Sequence, residues 1–144
     1  MKKEKGIEIL NGVEKGGGEM ISKLGEVMVY VNNQDEAIRF WRDDMEFVIL
    51  QDFRDGEMRW VQIAPTTDAE TTVILHDRAF VEKNSPDINF GTPSLLFFTP
   101  DLDALYEKLQ AKGVTLGEKV QMGESKFFNF ADRENNYFAI METE

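Results

Sequence analysis

The sequence predicts an α+β fold of two tandem βαβββ modules, forming curved sheets around a cavity with helices on the outer faces. An internal repeat carries that expectation. Val27 to Trp41 reads as an alternating strand, a polar break and an amphipathic helix, and Leu95 to Leu109 repeats the order 68 residues later. Each copy then continues into short apolar strands separated by turn residues. At 144 residues the chain is long enough to bury a core, and with no cysteine it does so without disulfides.

Residues 1–19 hold four lysines, four glutamates and Gly16-Gly17-Gly18, with few periodic apolar positions, so a flexible leader is expected there. Lys15-Gly16-Gly17-Gly18-Glu19 directly precedes Met20. Codons for such a stretch can spell a purine-rich ribosome-binding site, so we read Met20 as the genuine start and the leader as a mis-called extension. Residues 20–144 then form a single domain, with modules at 24–77 and 93–142 joined by a linker at 78–92.

In the first module Val27, Val29 and Val31 alternate with Met28 and Tyr30 as in a half-buried strand. Asn33 or Asp35 caps a helix whose Ala37, Ile38, Trp41 and Met45 fall at helical spacing. Strands follow near 47–53, 58–64 and 71–76, with Asp55-Gly56 turning between the first two. The linker carries Asn84-Ser85-Pro86-Asp87 and Gly91 as breakers. The second module predicts a strand at 94–99, a helix at 102–112 stopped by Gly113, and strands near 114–116, 126–131 and 137–142.

The formal charge of −11 lies entirely in the folded body, because the leader sums to zero. So acidic a surface repels phosphate backbones and anionic lipid, which argues against nucleic-acid and membrane partners. No apolar run approaches the ~20 residues of a membrane span, and the first residues lack a secretory-type apolar segment, so a cytoplasmic protein is expected. The absence of cysteine excludes thiolate chemistry. There is no Gly-rich phosphate loop followed by Lys and no Ser-centred nucleophile elbow. Asp43-Asp44 and the carboxylates from Asp52 to Asp55 read as solvated charges.

Three segments resemble the vicinal oxygen chelate superfamily, which groups glyoxalase I, bleomycin- and fosfomycin-resistance proteins and extradiol dioxygenases. They are Val29-Tyr30-Val31-Asn32-Asn33 leading into Ala37 to Trp41, Leu102 to Leu109 with Lys112-Gly113-Val114, and Phe130-Ala131-Asp132-Arg133-Glu134-Asn135-Asn136. The last matches the family's Asp-Pro-Asp-Gly-Asn turn, with Arg133 for Pro and Asn135 for Gly. Asn tolerates the left-handed conformation Gly would supply, so the turn is expected to survive. The resemblance spans about residues 22 to 142 and implies a fold that hosts unrelated chemistries.

The family's enzymes hold a divalent metal with one residue from the first and fourth strands of each module. Matching strand by strand places those positions at Glu26, Ile74, Ser94 and Ala139. A divalent site needs about three protein ligands, and here a single position carries a donor. The expectation is therefore no complete metal site. The alternative is a shifted site using Glu26 and His76, whose two-residue step from Ile74 moves the donor ~6.6 Å along the strand.

The resemblance also implies that the outer face of each sheet carries helices while the inner face lines the cavity. Alternation assigns Val27, Val29, Val31, Val73, Leu75, Leu95 and Phe97 to helix packing. Inward-facing candidates for ligand contact are Glu26, Met28, Tyr30, Trp60, Gln62, His76, Ser94, Phe98 and Tyr137, with Ile74, Leu96, Ala139 and Met141 among them. Trp60 and Phe98 equally suit core filling. His76, the only histidine, reads either as a solvated residue or, facing Glu26, as a general base; Glu26 and His76 are the catalytic candidates. Glu26 interrupts an apolar alternation and has to face water or a partner.

Three functions remain open. One is a metal-free, bleomycin-resistance-like protein, a homodimer like many of its superfamily, that binds a small cationic aromatic molecule in an aromatic, acidic cavity. Another is a divalent-metal-dependent lyase, dioxygenase or thiol transferase of the glyoxalase type. The third is a non-catalytic dimeric interaction module with an overfilled interior.

Overall fold

The computed structural model describes residues 8–10, 13–15 and 20–143. In the leader, β1 (Glu8–Leu10) and β2 (Val13–Lys15) pair as an antiparallel ladder that the sequence did not announce. The remainder of the leader lies outside the described residues.

The first module begins with β3 (Glu26–Val31). Asn33 then caps α1 (Gln34–Arg39), its side chain accepting from Glu36 N at 3.0 Å. The helix continues into a π-helical turn at Phe40–Asp44. Next come β4 (Val48–Asp55), β5 (Met58–Ala64) and β6 (Thr72–Asp77). These strands form a four-stranded sheet in the order β3-β6-β5-β4, with β3 and β6 parallel and the other pairs antiparallel. Gly56 takes φ +64° in the hairpin turn predicted at Asp55-Gly56.

The second module repeats the order: β7 (Leu96–Thr99), α3 (Leu102–Ala111), β8 (Thr115–Leu116), β9 (Val120–Met122), β10 (Ser125–Ala131) and β11 (Tyr137–Glu142). Its sheet runs β7-β11-β10-β8, with β7 and β11 parallel, and β9 also pairs with β10. The counterpart of β4 is thus broken into two pieces, which is why one apolar run at 114–116 represented it in sequence. Asp101 caps α3 by accepting from Ala104 N at 3.1 Å, and Gly113 leaves the helix at φ +80°.

Two expectations need revision. The 78–92 segment is not irregular throughout: Asp77 accepts from Ala79 N and starts α2 (Arg78–Asn84), which ends just before the predicted breakers Ser85-Pro86. β7 starts at Leu96 rather than residue 94, because its pairing with β11 begins at Ala139 opposite Leu96, leaving Ser94 outside the ladder.

The helix-facing sides of both sheets share one core. Val29, Val31, Val73 and Leu75 pack there as alternation predicts, with Leu95 and Phe97 partly buried against them. Trp41 is its hub: its ring centroid lies 4.8 Å from that of Phe47, 5.4 Å from Phe138 and 6.0 Å from Phe97, joining the two modules. Gln34, which is buried, donates through Nε2 to Arg59 O at 2.8 Å and Leu75 O at 2.9 Å, fastening α1 to the first sheet. A second fastening is the 132–136 turn. Asn135 sits at φ +64° as the substitution for Gly requires, and Glu134 accepts from Asn32 N at 2.9 Å and Asn33 N at 3.0 Å. Asp132 orders the turn from within, accepting from Glu134 N and Asn136 N.

Candidate functional site

Because the core consumes the helix-facing side of each sheet, the residues alternating with it are left on the opposite faces. On the first sheet the strand register brings them into rows. Phe53, Trp60, His76 and Tyr30 are successive cross-strand partners over β4, β5, β6 and β3. Their rings pair accordingly: Phe53 stacks on Trp60 at 5.0 Å with planes 19° apart, and Tyr30 on His76 at 5.7 Å and 20°. Beyond Tyr30 the row is extended by Phe90, edge-on at 5.1 Å.

The adjacent row holds Met28, Ile74 and Gln62, and Glu26 stands opposite Thr72 one row further. Gln62 Nε2 donates to Thr72 Oγ1 at 3.0 Å, which fixes the amide across the face. Glu26, Met28, Trp60, Ile74 and His76 line a cavity of about 130 Å³. A wider hollow of about 610 Å³ opens beside it, sharing Glu26 and Met28 and bounded by Gln62, Glu70 and Lys23. Six of the nine residues expected from sequence (Glu26, Met28, Tyr30, Trp60, Gln62 and His76) therefore stand together on one face.

The other three do not join them within this chain. Phe98 (65% exposed) and Tyr137 (56% exposed) lie on the second sheet, and Ser94 precedes it. Phe98 borders a separate crevice of about 190 Å³ with Met45, Phe47 and Pro65. Two members of the aromatic row were missed from sequence. Phe53 was legible, since the Asp55-Gly56 turn sets it opposite Trp60; Phe90 was not, because no periodicity marks a residue in an irregular segment.

His76 Nε2 lies 3.2 Å from Met28 Sδ. Burial among these side chains pushes the imidazole pKa down, and the Glu26 carboxylate opposes that only in part, so the ring is neutral at pH 7. A planar face of π-systems with one carboxylate is suited to stacking a flat molecule and attracting a positive charge.

The donors a divalent metal would need are not assembled. At the family's four positions only Glu26 offers a charged ligand: Ser94 has a neutral hydroxyl and lies outside the ladder, Ile74 is 3% exposed hydrocarbon and Ala139 has no donor. Among the described residues no three His, Cys, Asp or Glu side chains are grouped closely enough to hold an ion. These residues do not fit the family's metal.

Among the carboxylates read as solvated charges, Asp43, Asp44 and Asp52 also have basic partners. Arg59 binds Asp52 through Nε at 3.0 Å and Nη2 at 2.8 Å and Asp35 through Nη1 at 2.8 Å, while Asp44 receives Arg133 at 3.3 Å. Asp43 pairs with the adjacent Arg42 at 2.7 Å, whereas the partner of Asp44 comes from the second module, where local sequence could not reveal it. This network lies outside the aromatic face.

Residues 23–140 match the family model of the Glyoxalase/Bleomycin resistance protein/Dioxygenase superfamily, and the chain belongs to that superfamily. It is 35% identical over 125 residues to the Bacillus subtilis (strain 168) protein YetH, covering 85% of this chain and 100% of that one. Among solved structures it resembles TnmS3, an antibiotic binding protein from Streptomyces sp. CB03234, with TM-score 0.73, 27% identity, and coverage of 86% of this chain and 98% of that one. A superfamily member from Sphaerobacter thermophilus DSM 20745 also gives TM-score 0.73, at 26% identity with 86% and 99% covered. Among the described residues no helix is long and apolar enough to cross a membrane.

Proposed function

We propose that this chain is a metal-independent binding protein for a planar, cationic aromatic molecule, seated on the first sheet and enclosed when a second copy covers that face. The row Phe53–Trp60–His76–Tyr30, with Glu26 two rows away, carries this reading. The rings supply stacking area and the carboxylate a counter-charge. The likeness to TnmS3, described as antibiotic binding, supports a small organic ligand.

The homodimer rests on the second sheet. Its residues alternating with Phe97, Phe128, Phe130, Phe138 and Ile140 are Leu96, Phe98, Ser125, Phe127, Asn129, Ala131, Tyr137, Ala139 and Met141. None is charged, in a chain whose residues are 30% charged, and an uncharged sheet face with Leu96 and Phe98 exposed is suited to docking a second copy. Two copies related by a two-fold axis set this face over the first sheet of the partner at both sites. A cytoplasmic setting matches the acidic, cysteine-free composition.

The test uses the two tryptophans. Trp41 is 0% exposed, so in a Trp41→Phe background Trp60 alone reports. Titration with proflavine, a planar cation, should quench it saturably. Trp60→Ala, followed by calorimetry, and Glu26→Gln should each weaken binding by about 1–3 kcal/mol. Wild-type affinity in both variants would discard this site.

A further inference from the structure

The segment joining the modules contributes to the aromatic face as well as connecting the sheets. Phe90 meets Tyr30 edge-on, and the Arg78 guanidinium lies over the Phe90 ring at 5.4 Å. Arg78 follows β6 directly, two residues beyond His76. Phe90 is held in place from its C-terminal side: Asn89 Oδ1 accepts from Gly91 N at 2.8 Å, and Thr92 Oγ1 donates to Asn136 Oδ1 at 2.6 Å. Asn136 is itself anchored to Asp132 at 2.9 Å. The first sheet therefore has a carboxylate at the Glu26 end and a guanidinium at the Tyr30 end. Four residues of β3 separate those ends, about 13 Å of strand.

We propose that Arg78 and Phe90 form the second recognition point of the ligand site, and that the ligand is amphoteric: a flat aromatic body with a cationic group at the Glu26 end and a carboxylate or other anionic group at the Arg78 end. This rests on the function proposed above and narrows its ligand class. Phe90 walls the end of the row, so it sets ligand length, and stacking on Phe90 orients the planar guanidinium fork that pairs with an anion. Among the described residues the carboxylate partner of Arg78 is Glu82, 4.0 Å away with both side chains about half exposed, so that pair is weak and yields readily to a better one.

Two probes sharing one ring system separate the ends: 3-aminoacridine, a planar cation, and 6-aminoacridine-3-carboxylic acid, which adds an anionic group at the opposite end of the ring system. Calorimetric titration of the full chain should show Arg78→Gln weakening the carboxylated probe about tenfold or more, with 3-aminoacridine changed less than about twofold. Arg78→Lys, which keeps the charge, should recover part of the loss, and Phe90→Ala should weaken both probes. An Arg78→Gln variant that binds the carboxylated probe normally, or loses both probes equally, overturns the second recognition point while leaving the first-sheet site standing. A wild-type chain that binds neither probe overturns the first-sheet site, and this inference with it.

Discussion

At the scale of single residues, a few side chains hold conformations that the chain would otherwise resist. Asn135 at φ +64° is tolerable because its short amide bonds locally where a β-carbon alone is strained. Asn135→Ala should cost about 1 kcal/mol in urea unfolding, and Asn135→Gly should stay within about 0.5 kcal/mol of wild type. Glu134 draws three backbone or amide donors from Asn32 and Asn33 onto one carboxylate. Glu134→Ala should destabilise by about 1.5–3 kcal/mol in urea unfolding. Trp41 differs again: its Nε1 is buried without a hydrogen-bond partner among the described residues. Replacement by Phe removes that orphaned donor along with some volume, so Trp41→Phe should cost well under the roughly 3–5 kcal/mol of Trp41→Ala.

At the scale of elements, alternation on a strand decides which sheet face meets helices and which is left for ligand. β3 and β6 obey it cleanly: Val29, Val31, Val73 and Leu75 enter the core, and Tyr30 and His76 remain on the other side. The same elements place a titratable ring beside the expected cation. Burial lowers the His76 pKa below its ordinary 6.5, so the folded chain resists a proton that the unfolded chain accepts. Its contribution to stability is complete above pH 6.5 and declines as pH falls through the folded pKa. Protonation also sets a positive ring against a cationic ligand. Proflavine affinity should therefore fall as pH drops through the lowered His76 pKa. His76→Gln should flatten that profile; an unchanged profile would remove His76 from the site.

At the scale of the whole molecule, the two modules spend one face of each sheet on a shared core and leave one face of each open. A chain built this way carries an uncharged apolar surface, and in the proposed dimer a second copy covers it. Sedimentation velocity should show a dimer, and Phe98→Glu should give a monomer with its thermal unfolding midpoint little changed and ligand affinity reduced. The charge network makes a modest contribution to stability in acid. Hydrogen bonds from Arg59 hold the Asp35 and Asp52 carboxyls below their usual range, and Arg39 and Arg133 do the same for Glu36. Stability from these groups is complete above their ordinary values, 3.8 for the Asp and 4.5 for the Glu carboxyls, and is lost as pH falls through their lowered folded values.

Local pattern was enough to read the βαβββ repeat, the Asn33 and Asp55-Gly56 punctuation, the left-handed Asn135 and six residues of the aromatic, acidic face. Those features depend on periods of two and 3.6 residues and on turn chemistry, which act between near neighbours. The sequence did not reveal α2, the break of one strand into β8 and β9, the partner of Asp44, or Phe90 beside Tyr30. Nor did it say that Ser94, Phe98 and Tyr137 lie apart from Glu26 and Trp60. Each of these depends on which surfaces meet across dozens of residues, and here the decisive meeting is of the two helix-facing sides around Trp41. Once that core forms, the two open faces belong to different sheets, and only the tertiary arrangement determines which inward residues share a site.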